Sequence, residues 1–257
     1  MLGPLPTFES ISLQRWENSG AELVASLKLA TNLRELELDE SPPFFCCNLD
    51  ALLVHVPRLE KLRCAIHYDS PHPTLRQFAI SPSLKALHLT IVNQLMFEIE
   101  PMFIASGQLL ELESLIVHHD ANTHGSWKHI DLEACISLKH VDLRNIIRDD
   151  TQLALSVTVT DLTIKYAMRT NFEGRVEHPS RDLHGLGIPY RLPYLQHLSL
   201  DFHPHGRFHI RQILQSGDGT CVFSLKSLSI CTTTMNIDCI LSHTHLQSIN
   251  HLGLHID

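Results

Sequence analysis

The chain has 257 residues, 44% of them apolar, a mean hydropathy of +0.00 and a formal charge of -8 with histidines neutral. The apolar share is ample for a core, and the mild acidity argues against a dedicated nucleic-acid binder, which needs a basic field. No run of about 18 apolar residues reads as a membrane helix, and MLGPLPTFES lacks the basic and apolar blocks of a signal peptide.

One spacing, L-x-x-L-x-L, recurs along the chain. With Val, Ile, Phe or Cys allowed at its apolar sites, copies start at Phe8, Leu33, Leu59, Leu84, Leu112, Leu138, Val159, Leu195, Leu225 and Ile249. The steps between them are 25, 26, 25, 28, 26, 21, 36, 30 and 24 residues. Their mean of about 27 falls within the roughly 20 to 29 of a leucine-rich repeat. Two apolar positions two apart lie on one face of a short strand. A lone strand cannot hide that face, so the copies are expected to stack as one parallel sheet, with crossovers between neighbours.

In chain order, Gly20 to Ala30 carries Leu23, Leu27 and Ala30 at helical spacing, and Asn48 to Val56 reads as a helix stopped by Pro57. Thr74 to Ile80 is expected to make a turn or two of helix before Ser81-Pro82. Trp127 to Ile136 is expected to be helical, with Ile130, Ala134 and Cys135 inward. Ile210 to Leu214 and Ile237 to Leu241 complete the series. The long step after Val159 places an inserted loop at 169–189, rich in Gly, His, Pro and charge, and Asp201 to Thr220 is a second excursion. The seven cysteines form no framework, and no N-x-S/T acceptor occurs. Together these favour a reduced compartment, cytoplasmic or nuclear.

These residues make the chain resemble a leucine-rich-repeat protein. The lead-in Ser83-Leu84-Lys85, repeated at Ser137-Leu138-Lys139 and Ser224-Leu225-Lys226, resembles the repeat half of fungal-type F-box/leucine-rich-repeat proteins. The resemblance implies an α/β solenoid, a curved parallel sheet with helices and irregular turns on its convex side. It also implies a substrate held by the repeats and a cullin-based ubiquitin ligase as partner. The F-box itself is not found. The Asn or Cys of such repeats is replaced by Ser41, His67, Val92, Asp120, Ile146, His203 and Thr233, which predicts irregular turns after the strands.

Function is then expected on the concave face, where solenoids bind. The register places Glu35, Glu37 and Asp39 there, then Lys61 and Arg63, then His88 and Thr90. Ser114, Ile116 and His118 follow, with His140, Asp142 and Arg144, then Asp161, Thr163 and Lys165. The series ends with His197, Ser199 and Asp201, then Ser227, Ser229 and Cys231, then His251 and His255. Glu35 is expected to face Lys61 and Glu37 to face Arg63 as a charge ladder. His88, His118 and His140 are expected to form a row able to gain charge near pH 6. No G-x-S-x-G, G-x-x-x-x-G-K-[ST] or strand-to-helix G-x-G-x-x-G occurs. The expectation is non-catalytic recognition of a protein partner, with no cofactor, nucleic acid or membrane. The alternatives are a metal-dependent hydrolase using His203, His205 and His209, or a repeat protein with a structural role only.

Overall fold

A computed structural model of the chain describes residues 8–14, 22, 25, 27, 30–39, 44–45, 53–67, 83–92, 110–119, 129–147, 152–166, 192–201, 225–232 and 249–256. Within them run β1 (Ser10–Gln14), β2 (Glu35–Asp39), β3 (Phe44–Phe45), β4 (Lys61–His67), β5 (Ala86–Val92) and β6 (Ser114–His119). Then come β7 (His129–Asp131), β8 (His140–Ile147), β9 (Gln152–Ala154), β10 (Asp161–Tyr166), β11 (His197–Asp201), β12 (Ser227–Thr232) and β13 (His251–Ile256). The main sheet runs β1-β2-β4-β5-β6-β8-β10-β11-β12-β13, with β3 beside β4, and each of these pairings is parallel. Strands follow one another in chain order, as in a solenoid.

The repeat spacing explains this order residue by residue. Each of the ten successive strands begins two residues after a copy of the motif begins, from Ser10 after Phe8 to His251 after Ile249. The second and third apolar positions fall on one side of the pleat, so β5 and β6 alternate between half-buried and buried residues. Leu36, Leu62, Leu87, Leu115, Val141, Leu162, Leu198 and Leu228 align across the sheet and are each at most 2% exposed. The first apolar position, at Leu33, Leu59, Leu84, Leu112, Leu138, Val159, Leu195 and Leu225, is equally buried and fills the core at the strand starts. Each such leucine removes apolar area worth roughly 1.5–3 kcal/mol. The core thins at the outer strands, where Phe8 is 51% and Leu252 39% exposed.

Two local devices fix the register. The amide of Leu33 donates to the Ala30 carbonyl, Leu59 to Val56, Leu138 to Cys135, Val159 to Ser156 and Leu195 to Leu192. A tight turn therefore precedes these strands, with Pro57 and Pro193 at its second position, where a fixed φ suits it. Beyond the turn, one carbonyl of each strand start accepts two successive amides from the next. Glu9 O takes Arg34 N and Glu35 N, Arg34 O takes Glu60 N and Lys61 N, and the pattern continues to Lys226 O with Asn250 N and His251 N. Nine such carbonyls join the ten strands.

Helical backbone among the described residues is confined to Glu22, Ala25 and Leu27, and to Leu53, Val54 and His55 just before Pro57. Both lie where helices are expected, and Leu27, Ala30, Leu53 and Val56 are buried as their spacing requires. The expected helix at 127–136 is not one over its described part. His129–Asp131 is strand β7, paired in parallel with β9 as a second small sheet. Ile130 and Cys135 still point into the core, while Ala134 is only half-buried. The expected helices at 74–80, 210–214 and 237–241 and the loop at 169–189 lie outside the described residues.

The expected irregular turns differ at two sites, where His67 and Val92 belong to strands that simply run on, whereas Ile146 lies in an irregular extension of β8. At β8 the extension bends, because Lys165 pairs with Arg144 but Tyr166 pairs with Ile147. The extra residues form a bulge, with Asn145 at φ 60° and its side-chain amide donating to the His119 carbonyl at 3.1 Å. Asparagine tolerates this left-handed backbone better than most residues. The bend lets two consecutive residues, Ile146 and Ile147, both reach full burial. Among the described residues no helix is long and apolar enough to cross a membrane.

Candidate functional site

Opposite the leucines, the sheet presents three rows of side chains at levels fixed by the strand register, with neighbours in a row about 4.8 Å apart on adjacent strands. The first row runs Ser10, Glu35, Lys61, Ala86, Ser114, His140, Asp161, His197, Ser227, His251. The middle row runs Ser12, Glu37, Arg63, His88, Ile116, Asp142, Thr163, Ser199, Ser229, Gly253. In the third row Thr90, His118, Arg144, Lys165, Asp201, Cys231 and His255 occupy successive strands, and Asp39 stands opposite Gln14. The residues expected on the recognition face therefore share this open face, apart from Asp39, whose side chain lies outside the described ones.

The expected charge ladder has the right register and a different partner. Glu35 is level with Lys61 and Glu37 with Arg63, but Lys61 Nζ reaches diagonally to Glu37 Oε1 at 3.0 Å. The long lysine stem leans along the strand, and Glu35 instead accepts the Ser10 hydroxyl at 3.3 Å. The hydrogen bond to Glu37 raises the Lys61 pKa above the ordinary lysine range. Both residues are substantially exposed, so the pair adds little to stability.

The expected histidine row is staggered across levels. His88 is level with Ile116, His118 with Thr90 and Arg144, and His140 with Ser114. His88 and His118 still touch, edge to face, with ring centroids 5.1 Å apart. His118 then leans toward Asp142, not His140, with Nε2 3.6 Å from Oδ2. That is too long for a hydrogen bond, and this buried nitrogen has no hydrogen-bond partner.

Asp142 is the centre of the cluster and is 6% exposed. Arg144, two residues along the same strand, grips it with Nε at 2.9 Å from Oδ1 and Nη2 at 2.8 Å from Oδ2. Burial alone pushes the Asp142 carboxyl upward. His118 and the Arg144 fork together outweigh it and hold the pKa below the usual carboxylate range. On the neighbouring strands Lys165 Nζ meets Asp201 Oδ2 at 2.9 Å. Three cations of the face are thus neutralised from within, by Glu37, Asp142 and Asp201.

A polar feature absent from the expected site borders this face. The residue after each motif start alternates in sign over six strands: Glu9, Arg34, Glu60, Lys85, Glu113, Lys139. Arg34 and Lys85 both bind Glu60, the latter at 2.8 Å, and Lys139 lies 3.8 Å from Glu113. The Lys85 hydrogen bond, aided by Arg34, lowers the Glu60 pKa despite desolvation. Farther along, Lys226 donates to the Gln196 side chain at 2.7 Å. The alternation was readable in the second letter of each motif copy.

No protein-family model matches this chain, and no curated protein does. Among the described residues no three His, Cys, Asp or Glu side chains converge as metal ligands. His203, His205 and His209 lie outside the described residues.

Proposed function

We propose that the chain is a leucine-rich-repeat recognition module that binds a protein partner, without catalysis, on the open face of its sheet. The observation that supports this is the three-row array, in which ten in-register strands present hydroxyl, imidazole and charged side chains over a continuous leucine core. Backbone clamps and packing hold those groups before any partner arrives, which lowers the ordering cost of docking. The most buried acid of the face, Asp142, is clamped bidentately by Arg144, an arrangement suited to shape and charge recognition more than to a free general base. The F-box/leucine-rich-repeat resemblance adds a particular form of this role, a substrate receptor for a cullin-based ubiquitin ligase.

The test places a photo-crosslinking amino acid at Thr163 or Ser229 on the open face, and at Arg58 or Tyr194 on exposed turns away from it. Crosslinks to a partner are expected from the first pair and not from the second, and the reverse pattern would refute the reading. Co-purification with a cullin-ligase adaptor tests the ligase form separately. Its absence would end that form and leave recognition standing.

A further inference from the structure

Among the described residues β1 has a strand neighbour only in β2, and β13 only in β12, so each leaves one backbone edge open. Such an edge is a template for further pairing, and proteins usually blunt it with lysine, proline, an inward charge or a bulge. Here the distribution runs the other way. SISLQ in β1 and HLGLHI in β13 hold no Lys, Arg, Asp, Glu or Pro, whereas the interior strands β2, β4, β8, β10 and β11 all carry charge. Both edge strands also pair with their one neighbour without a shift of register.

The two edges are complementary halves of one joint. At each of the nine strand junctions, one carbonyl of the earlier strand start accepts two amides of the later one. Among the described residues the Asn250 carbonyl accepts no backbone amide, and the Glu9 and Ser10 amides meet no backbone carbonyl. Asn250 O taking Glu9 N and Ser10 N of another copy would repeat the joint that Lys226 O makes with Asn250 N and His251 N. That alignment sets Ile249, Leu252 and Leu254 level with Phe8, Ile11 and Leu13 on the core side. All six are incompletely covered: Phe8 is 51% and Leu252 39% exposed, and the other four are only partly buried against the core. On the open side Ser10 comes beside His251 and Ser12 beside Gly253, so no like charges meet. Two copies joined β1 to β1, or β13 to β13, about a twofold axis run antiparallel, and the doubled carbonyl then finds no doubled amide.

We infer that the chain associates head to tail with further copies of itself, β13 of one copy continuing through β1 of the next as one parallel sheet. This joint goes beyond the open-face reading and does not depend on what that face binds. One short strand pair and six half-covered apolar side chains make a small interface, so the association is weak and set by concentration. It is also heterologous. Every assembly keeps one edge of each kind, and growth runs past the dimer unless a ring closes.

The experiment is sedimentation of the full chain between about 1 and about 200 µM, the range in which small interfaces assemble. The weight-average mass is expected to rise from the 29.1 kDa of one chain to more than twice that value. I11K and L252K each put a charge at one edge, at levels that would meet in the joint. In the free chain the lysine stem reaches solvent, but in the joint its charge is trapped against an apolar neighbour. Each variant alone is expected to lose self-association at least about tenfold, or roughly 1.4 kcal/mol. Mixed in equal amounts, the intact β13 of I11K meets the intact β1 of L252K, and association is expected to return but stop at a dimer. Pairing about a twofold axis and unspecific adhesion give no such rescue. Amide hydrogen exchange of the unmodified chain needs no variant: β1 and β13 are expected to slow together as concentration rises. A wild-type mass of 29.1 kDa throughout, undiminished association in either variant, no dimer from the mixture, or slowing at one edge alone would each overturn the inference.

Discussion

Leu115→Ala tests the continuous core most directly. Leu115 is 0% exposed on β6 and level with Leu87 on one side and Val141 on the other. The substitution deletes three buried carbon atoms, worth about 2.4 kcal/mol at roughly 0.8 kcal/mol per carbon. A cavity between two packed strands adds to this, giving an expected loss of about 3–4 kcal/mol within the usual 2–5 range. Leu252→Ala changes the same motif position on the outermost strand, where 39% exposure and a single neighbour, β12, predict a loss below about 1.5 kcal/mol. Urea unfolding followed by circular dichroism measures both. Repeat arrays couple nearest neighbours, so the interior variant is also expected to broaden its transition as the two flanks separate. Equal losses in the two variants, or a loss under about 1 kcal/mol for Leu115→Ala, would refute the stacked-strand core.

Four further outcomes follow from the local chemistry. Asp142 has a lowered folded pKa, so its contribution is complete above the ordinary carboxylate value near 4 and vanishes as pH falls through the lower folded value; Asp142→Asn is expected to flatten the stability curve below pH 4, measured by urea midpoints against pH. Asn145→Val is expected to cost about 1–3 kcal/mol by forcing a β-branched residue into positive φ, with Asn145→Gly nearly neutral, both read by thermal melts. Glu60→Gln removes the centre of the Arg34–Glu60–Lys85 bridge, so its melting temperature should fall below wild type in low salt and converge with it in 1 M NaCl. Burial pushes the Cys135 thiol up to about 11, so iodoacetamide should label it in urea and spare it in the native chain, as peptide mass mapping would show.

The sheet was legible in the sequence because one interaction dominates it. Apolar side chains two apart must share a face, and Leu36 with Leu38, or Leu198 with Leu200, leave no choice of register. The open-face residues follow automatically, since they are the alternates. What the spacing could not supply was how long side chains lean. Lys61 took Glu37 in place of Glu35, and His118 turned to Asp142, because diagonal reach depends on stem length and twist. His129–Asp131 reads equally well as a helical turn or a short strand, for either buries Ile130, and only the pairing with β9 decides. Asn145-Ile146-Ile147 likewise resembles plain strand until the doubled burial of the isoleucines shows that the pleat is broken. The sign-alternating border from Glu9 to Lys139 occupies the x positions of the apolar spacing, so the leucine pattern carries no information about it.

Each strand hangs its first two amides on a single carbonyl of its predecessor. Alignment is thereby settled at one point, and the path taken to reach that point is irrelevant to it. Routes of 21 residues before Val159 and of 36 after it deliver their strands to the same level. The binding rows are insulated from the length of the connections, so such a chain tolerates lengthening or trimming between strands while its surface chemistry stays in step.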